Sequence, residues 1–259
     1  MYPLFYIMLI IAEVKMSRMK FLNTEIDNLN MDEAVEAIDE LIIKKENSYV
    51  VTPNVDHILR LEDDKEFAEI YKNASLRLTD GMPLVWISKM KHTPIKEKVS
   101  GSDMFPRVCE LAAKKGYSVF LLGAAEGVAA KAAENLQNQY HGLKIAGTYS
   151  PSFGFEEKED EINKIIKMIN ETKPDVLAVG LGSPKQEKFI YKYKDQLNVP
   201  VSLAIGASID FEAGNKKRAP RFMQKAGLEW LYRLCKEPRR MFMRNLTSVR
   251  IVKVIFKYK

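Results

Sequence analysis

Short apolar runs alternate with amphipathic stretches along almost the whole chain, and this alternation constrains the fold more than any other feature. SYVVTPN, LRLTD, YSVFLLG, LKIAGTY, DVLAVGLG and VPVSLAIG each read as a strand of a few residues, mostly halted by Gly, Pro or a polar turn. FLNTEIDNLN reads as a shorter strand and turn ahead of them. Between the strands lie helical spacings. Ala34, Val35, Ile38, Leu41 and Ile42 recur after an opening at Asn30 or Asp32, and Ile58, Leu61, Phe67 and Ile70 mark one helix from Val55 to Ala74. MPLVWISKM has Pro83 in its favoured early position, and the helix ending at Gly116 has Ser102 or Asp103 as its cap. Strand–helix alternation requires crossover connections. The expected fold is therefore α/β: a Rossmann-like, mainly parallel sheet with helices on both faces.

This pattern assigns residues 19–214 to one α/β domain and leaves two segments outside it. Residues 1–18 open with a dozen apolar residues, short of the ~20 needed to span a bilayer and without the leader of a signal peptide. Met16 and Met19 are alternative starts, so the segment is given no part in the fold; a weak hydrophobic anchor is the other reading. Residues 215–259 hold 14 Lys or Arg against two acids, Glu229 and Glu237, whereas residues 1–214 hold 26 basic and 32 acidic groups. A basic appendage on an acidic body points to a polyanionic partner. Trp230, Leu231, Met241, Phe242, Leu246, Val249 and Phe256 are interleaved with that charge, which suits an anionic membrane surface better than nucleic acid. Apolar residues of this size need cover, so a soluble form is expected to be a homo-oligomer.

Cys109 and Cys235 are far apart and in no ligand spacing, which argues against a disulfide scaffold and fits a reducing compartment. His57, His92 and His141 show no metal-binding spacing either. No cofactor or resident metal is expected; a substrate-borne Mg²⁺ at Asp80 is the remaining route to one.

Chemistry concentrates at strand ends. VVTPNVDHI offers Thr52, Asn54 and Asp56, and LRLTDGMPLVW offers Asp80 followed directly by Gly81. An acid there either caps the next helix or performs catalysis at the carboxyl edge of the sheet, and spacing leaves both open. Three glycine loops, Gly123–Gly127, Gly180–Lys185 and Gly206–Gly214, would gather on the same edge, where helix N-termini suit phosphate. Neither VFLLGAAEG nor GLGSPK has the dinucleotide or Walker A spacing, which counts against NAD-linked oxidoreduction and nucleotide hydrolysis. SPKQE places Lys185, Gln186 and Glu187 in the first turn of a helix.

Taken in order, VTPNVDHI, TDGMPLVW, SGSDMF, FLLGAAEGVAAKAAENL, VGLGSPKQEKFI and GASIDFEAGNKKRAPRFMQKAGLEWLYRLCKEPRR resemble the WecG/TagA/CpsF family of bacterial glycosyltransferases, from about residue 20 onward. The resemblance implies a metal-independent, inverting transfer from a UDP-sugar donor to a polyprenyl-diphosphate-linked sugar acceptor at the cytoplasmic membrane face. UDP-N-acetylmannosamine is the expected donor, with its uronic acid or UDP-glucose as alternatives, in teichoic acid or capsular polymer synthesis. Asp80 falls on the family's essential aspartate, as general base, and Thr52 on its pocket threonine, beside Asn54. Gly123, Gly180, Gly182, Lys185 and Gln186 fall among the substrate-binding positions. Arg218, Arg233 and Arg240 are the expected diphosphate contacts of a basic lid.

Overall fold

The computed structural model describes residues 18–225, 227–236, 238 and 248–258. The chain opens with a hairpin of β1 (Arg18–Phe21) and β2 (Thr24–Asp27) and continues through α1 (Met31–Lys44), β3 (Ser48–Val51), α2 (Val55–Asp63) and α3 (Lys65–Lys72). β4 (Leu76–Arg77), α4 (Met82–Met90), α5 (Gly101–Lys115), β5 (Ser118–Gly123), α6 (Val128–Gln139) and β6 (Lys144–Tyr149) follow. After a 3-10 turn come α7 (Glu159–Thr172), β7 (Val176–Gly180), α8 (Lys185–Leu197), β8 (Val201–Ala204) and α9 (Ser208–Glu212). Beyond residue 214 lie α10 (Arg221–Lys225), α11 (Glu229–Lys236) and α12 (Ile251–Lys257).

Six strands form one sheet in the order β4-β3-β8-β7-β5-β6, and every neighbouring pair is parallel. The two-residue period of a strand splits its side chains between two cores. Val119 and Leu121 join α1, α5, α6 and α9 on one face, while Phe120 and Leu122 join α3, α7 and α8 on the other. The expected Rossmann-like α/β fold is therefore what the residues build. A third apolar cluster packs the hairpin and α2 against α4 and Val254 of α12. Among the described residues no helix is long and apolar enough to cross a membrane.

Several local expectations change for identifiable reasons. The stretch Val55–Ala74 is two helices, because Asp64 adopts an extended backbone and its side chain accepts from the Phe67 amide at 3.0 Å, capping α3. The cap of α5 is Ser100 rather than Ser102 or Asp103; Asp103 sits inside the first turn, where its Oδ2 accepts from the Ser100 hydroxyl at 2.6 Å. LRLTD contributes only Leu76 and Arg77 to the sheet, and the loop expected over Gly206–Gly214 contains α9. Arg18, placed outside the body from sequence, opens β1 and binds Asp27 through Nε (2.9 Å) and Nη2 (3.0 Å). Asp27 in turn accepts from the Arg77 amide at 2.9 Å, so the hairpin satisfies a donor on the exposed side of edge strand β4. Residues 1–17 lie outside the described residues.

Glycine matters most where strand ends converge. Gly123 (φ +131°) pairs with Gly180 across β5 and β7, and a Cβ on it would overlap the Gly180 carbonyl. Gly182 (φ +77°) has open space around its Cα. Gly123→Ala is therefore expected to cost about 3 kcal/mol or more, from strain and overlap together. Gly182→Ala should cost only the ~1 kcal/mol typical of an unfavourable backbone. Denaturant midpoints compare the two; equal losses would contradict the overlap.

Candidate active site

The carboxyl ends of β3, β4, β7 and β8 surround a cleft of about 800 Å³. Thr52, Asn54, Asp80, Gly180, Gly182 and Gln186 all line it, so most of the positions expected from sequence are brought together. A smaller cleft of about 330 Å³ adjoins it between α4 and the C-terminal segments. Asn54, Asp56, Asp80 and Ser102 line both.

Backbone bonds fix Asp80 against the end of β3: its N–H donates to the Pro53 carbonyl at 2.8 Å, and Leu78 N–H to the Val51 carbonyl at 2.9 Å. The helix-capping reading of Asp80 does not hold. Gly81 (φ +103°) is the cap residue of α4, and no side chain caps that helix. Asn54 does act as a cap, its side chain accepting from His57 N–H at 3.1 Å. The carboxylate of Asp80 thus stands at the mouth of the sheet and does not cap α4.

On the opposite wall, Gln186 is held at both ends of its amide. Its Nε2 donates to Glu187 Oε1 at 2.9 Å and its Oε1 accepts from Gly206 N–H at 3.0 Å. Glu187 is 0 % exposed, and its Oε2 makes no hydrogen bond. Burial dominates its titration and raises its pKa; Gln186 and the nearby Ser183 hydroxyl oppose this more weakly. An acid whose folded pKa lies above its unfolded value, ~4.3, gives most stability below that pH and loses it as pH rises through the folded pKa. Glu187→Gln keeps an oxygen to accept from Gln186 and has no charge to bury. Its melting temperature is expected to fall less than that of the wild type from about pH 4.5 to neutrality. Parallel pH profiles would show that Glu187 does not govern this dependence.

His57, also in the cleft, is buried and shares a hydrogen bond of 2.6 Å between Nδ1 and the Tyr71 hydroxyl. Burial raises the Tyr71 pKa well above its ordinary value, so the phenol stays neutral. Sequence reading weighed His57 only as a metal ligand; its place in the first turn after Asn54 was the available signal. Among the described residues no three His, Cys, Asp or Glu side chains converge on a point that could hold a metal ion.

The described cations that line the clefts are not those the sequence singled out. Arg60, Lys216 and Arg250 line the larger cleft. Lys216 pairs with Asp210 at 3.0 Å and Arg250 with Asp63 at 2.9 Å, both partners also being in the lining. Arg218 lines neither cleft: it donates to Asp103 Oδ1 at 2.8 Å and to the Ser102 carbonyl at 3.2 Å, anchoring the appendage to α5. Lys185 pairs with Glu156 and lies 5.4 Å from the centre of the Phe153 ring, also outside both linings. Gly123 lines neither cleft and serves strand packing. Arg233 belongs to α11, with its side chain outside what the structure describes, and Arg240 lies outside the described residues.

Comparison with known proteins bears on this geometry. The profile described as Glycosyl transferase WecG/TagA/CpsF family matches residues 19–259. An N-acetylglucosaminyldiphosphoundecaprenol N-acetyl-beta-D-mannosaminyltransferase of Bacillus spizizenii is 31 % identical over 216 residues, 83 % of this chain and 81 % of the relative. Proteins of the same name from Bacillus subtilis and Staphylococcus aureus are each 30 % identical, over 82 % and 84 % of this chain and 80 % and 84 % of their own lengths.

Proposed function

The chain belongs to the WecG/TagA/CpsF family of glycosyl transferases, and on that premise we propose that it moves N-acetylmannosamine from a UDP donor to the N-acetylglucosamine of a polyprenyl-diphosphate acceptor. The observation that carries this reading is Asp80, an acid with no capping role, at the junction of two clefts. UDP-sugar occupies the larger cleft. There Arg60, Lys216, Arg250 and the N-terminus of α8 face the charge that grows on the departing diphosphate.

Asp80 takes the proton from the acceptor hydroxyl as its oxygen attacks the anomeric carbon. The carbon–oxygen bond to the diphosphate breaks on the opposite face, its electron pair leaves with UDP, and the configuration inverts. Thr52 and Gln186 bound the donor site, with Gln186 oriented by Glu187 and Gly206. UDP-N-acetylmannosaminuronic acid and UDP-glucose are the alternative donors. The basic segment from residue 215 meets an anionic membrane surface, placing the enzyme at the inner face, and a homo-oligomer covers its apolar residues in solution. A panel of UDP-sugars is tested with an N-acetylglucosamine acceptor on a short polyprenyl diphosphate, the product mass identifying the transferred sugar. Absence of any glycosylated lipid across the panel would reject the reading.

A further inference from the structure

Behind the lining of the larger cleft lies a pair of side chains to which the transfer reaction assigns no task. His57, in the first turn of α2, lines the cleft, and Tyr71, near the end of α3, is buried in the core beside it. Phe67 closes another side, its ring 5.7 Å from that of His57 and 4.8 Å from that of Tyr71. The Tyr71 hydroxyl and His57 Nδ1 are 2.6 Å apart, a distance that does not say which of them gives the proton. Burial decides it. A buried hydroxyl whose hydrogen meets no acceptor pays its whole desolvation penalty, and among the described residues Nδ1 is the only hydrogen-bond partner of this one. Tyr71 therefore donates, Nδ1 accepts, and the one ring proton sits on Nε2.

A ring in that state has no lone pair to offer. It cannot take a proton from an alcohol, and it cannot become an imidazolium unless Tyr71 turns its hydrogen away into the core. Burial, then the charges of Glu187 and Asp80, raise the Tyr71 pKa, so the phenol keeps that hydrogen. The action of Asp80 on the phenol puts its carboxylate within electrostatic reach of the pair, and His57 and Asp80 line the same cleft. An imidazolium there would pair with the carboxylate and weaken it as a base. The departing diphosphate has no need of the extra charge, because Arg60, Lys216 and Arg250 already line the cleft. Asp56 and Arg60 share α2 with His57, and Glu187 reaches Tyr71 from α8; from the appendage, Lys216 is held by Asp210 and Arg250 by Asp63. None of these groups shares in the bond between the phenol and the imidazole.

We propose that Tyr71 and His57 are positioning residues for the base: the phenol locks the imidazole in its uncharged Nε2–H form, which removes a rival base and a rival cation from the side of Asp80. The inference rests on the reading of Asp80 as the group that takes the acceptor's proton. It gives a buried tyrosine a task in the chemistry without any contact with substrate.

Tyr71→Phe removes the hydroxyl and keeps the ring that packs on Phe67. Nδ1 is then free to take a proton in the ordinary histidine range, ~6.5, so about nine rings in ten are charged at about pH 5.5. The ratio of variant to wild-type kcat/KM is expected to fall about tenfold between about pH 7.5 and about pH 5.5, whereas lost packing alone would lower it equally at both. In a His57→Gln background, which has no ring to charge, adding Tyr71→Phe should change kcat/KM by the same factor at both pH values. Histidine-selective nitrogen-15 NMR reads the lock without turnover, the chain having three histidines and His57→Gln identifying the relevant signals. The wild-type ring should hold the Nε2–H form across that interval, and the Tyr71→Phe ring should titrate. A wild-type ring protonated on Nδ1 at neutral pH, or a Tyr71→Phe ring that does not titrate, overturns the lock. A level kcat/KM ratio despite a titrating ring overturns the role assigned to the pair and leaves the transfer reaction as proposed. A lock seen by NMR in a chain that transfers no sugar would instead reject the reaction and leave the tautomer standing.

Discussion

Asp80→Asn is expected to lower kcat by about 10²–10⁴-fold, the range for loss of a positioned general base, while UDP affinity stays near wild type. The substitution keeps the size of the side chain while removing its charge and its capacity to take a proton. The backbone bond from residue 80 to the Pro53 carbonyl is unaffected by the change. Since α4 is entered through Gly81 without a side-chain cap, the start of α4 does not depend on the carboxylate. A fall in kcat with little change in KM marks a contact made only in the transition state; a fall in donor affinity would mark ground-state binding. Steady-state transfer and UDP calorimetry on the same preparation separate the two. Normal turnover in Asp80→Asn would remove this residue from the chemistry.

The fold was legible because its signals are local. Strand runs such as Val119–Leu122 and Val176–Val179 are buried on both faces, so their continuous apolar character announces a parallel sheet. The gathering of Thr52, Asp80, Gly180 and Gln186 followed from the rule that ligands sit at strand carboxyl ends. Partner choice was not legible. Arg218 is claimed by Asp103, 115 residues earlier, and Lys185 by Glu156 across a loop; nothing near either residue in sequence announces the pairing. A basic side chain near a phosphate-binding motif looks the same whether it meets a ligand or a carboxylate of its own chain.

Glu187 illustrates an available signal that was passed over. It lies three residues before Ile190, which is fully buried, so helical spacing puts it on the inner face of α8. A charge there has to be neutralised, paired or used. Its hydrogen bond to Gln186, itself bound to Gly206, uses it to hold an amide of the larger cleft in one orientation. Asp64 was missed for a different reason: in EDDKEF several acids could interrupt a helix, and the local sequence does not single out the one that caps α3.

Deleting residues 215–259 is expected to leave a folded body that has lost transfer to lipid-linked acceptor by at least about 10²-fold, a loss comparable to that of a misplaced reacting group. The two cores flanking the sheet lie wholly within the remaining chain. The third cluster loses buried Val254 and the half-buried Ile251, Ile255 and Tyr258. One fully buried aliphatic is worth about 1.5–3 kcal/mol, so a measurable drop in melting temperature should follow without unfolding. The pairs Lys257–Glu62 (2.6 Å) and Arg250–Asp63 (2.9 Å) add little to that loss at the surface.

Function suffers more, because the deletion takes Lys216 and Arg250 from the larger cleft and a wall of the smaller one. It also removes 14 basic residues against two acids, each basic group contributing ~1 kcal/mol beside anionic lipid. Co-sedimentation with phosphatidylglycerol vesicles should therefore disappear on truncation and, in the full chain, weaken with added salt. Sizing of both proteins completes the comparison: if apolar side chains such as Phe222 and Leu231 drive self-association, only the full chain should form an oligomer without lipid. A truncated protein that still sediments with vesicles and still glycosylates the lipid acceptor would detach the appendage from both roles. Loss of sedimentation with full activity on the short polyprenyl acceptor would leave it as a tether alone, since a missing cleft wall cannot be restored by bringing substrate into solution.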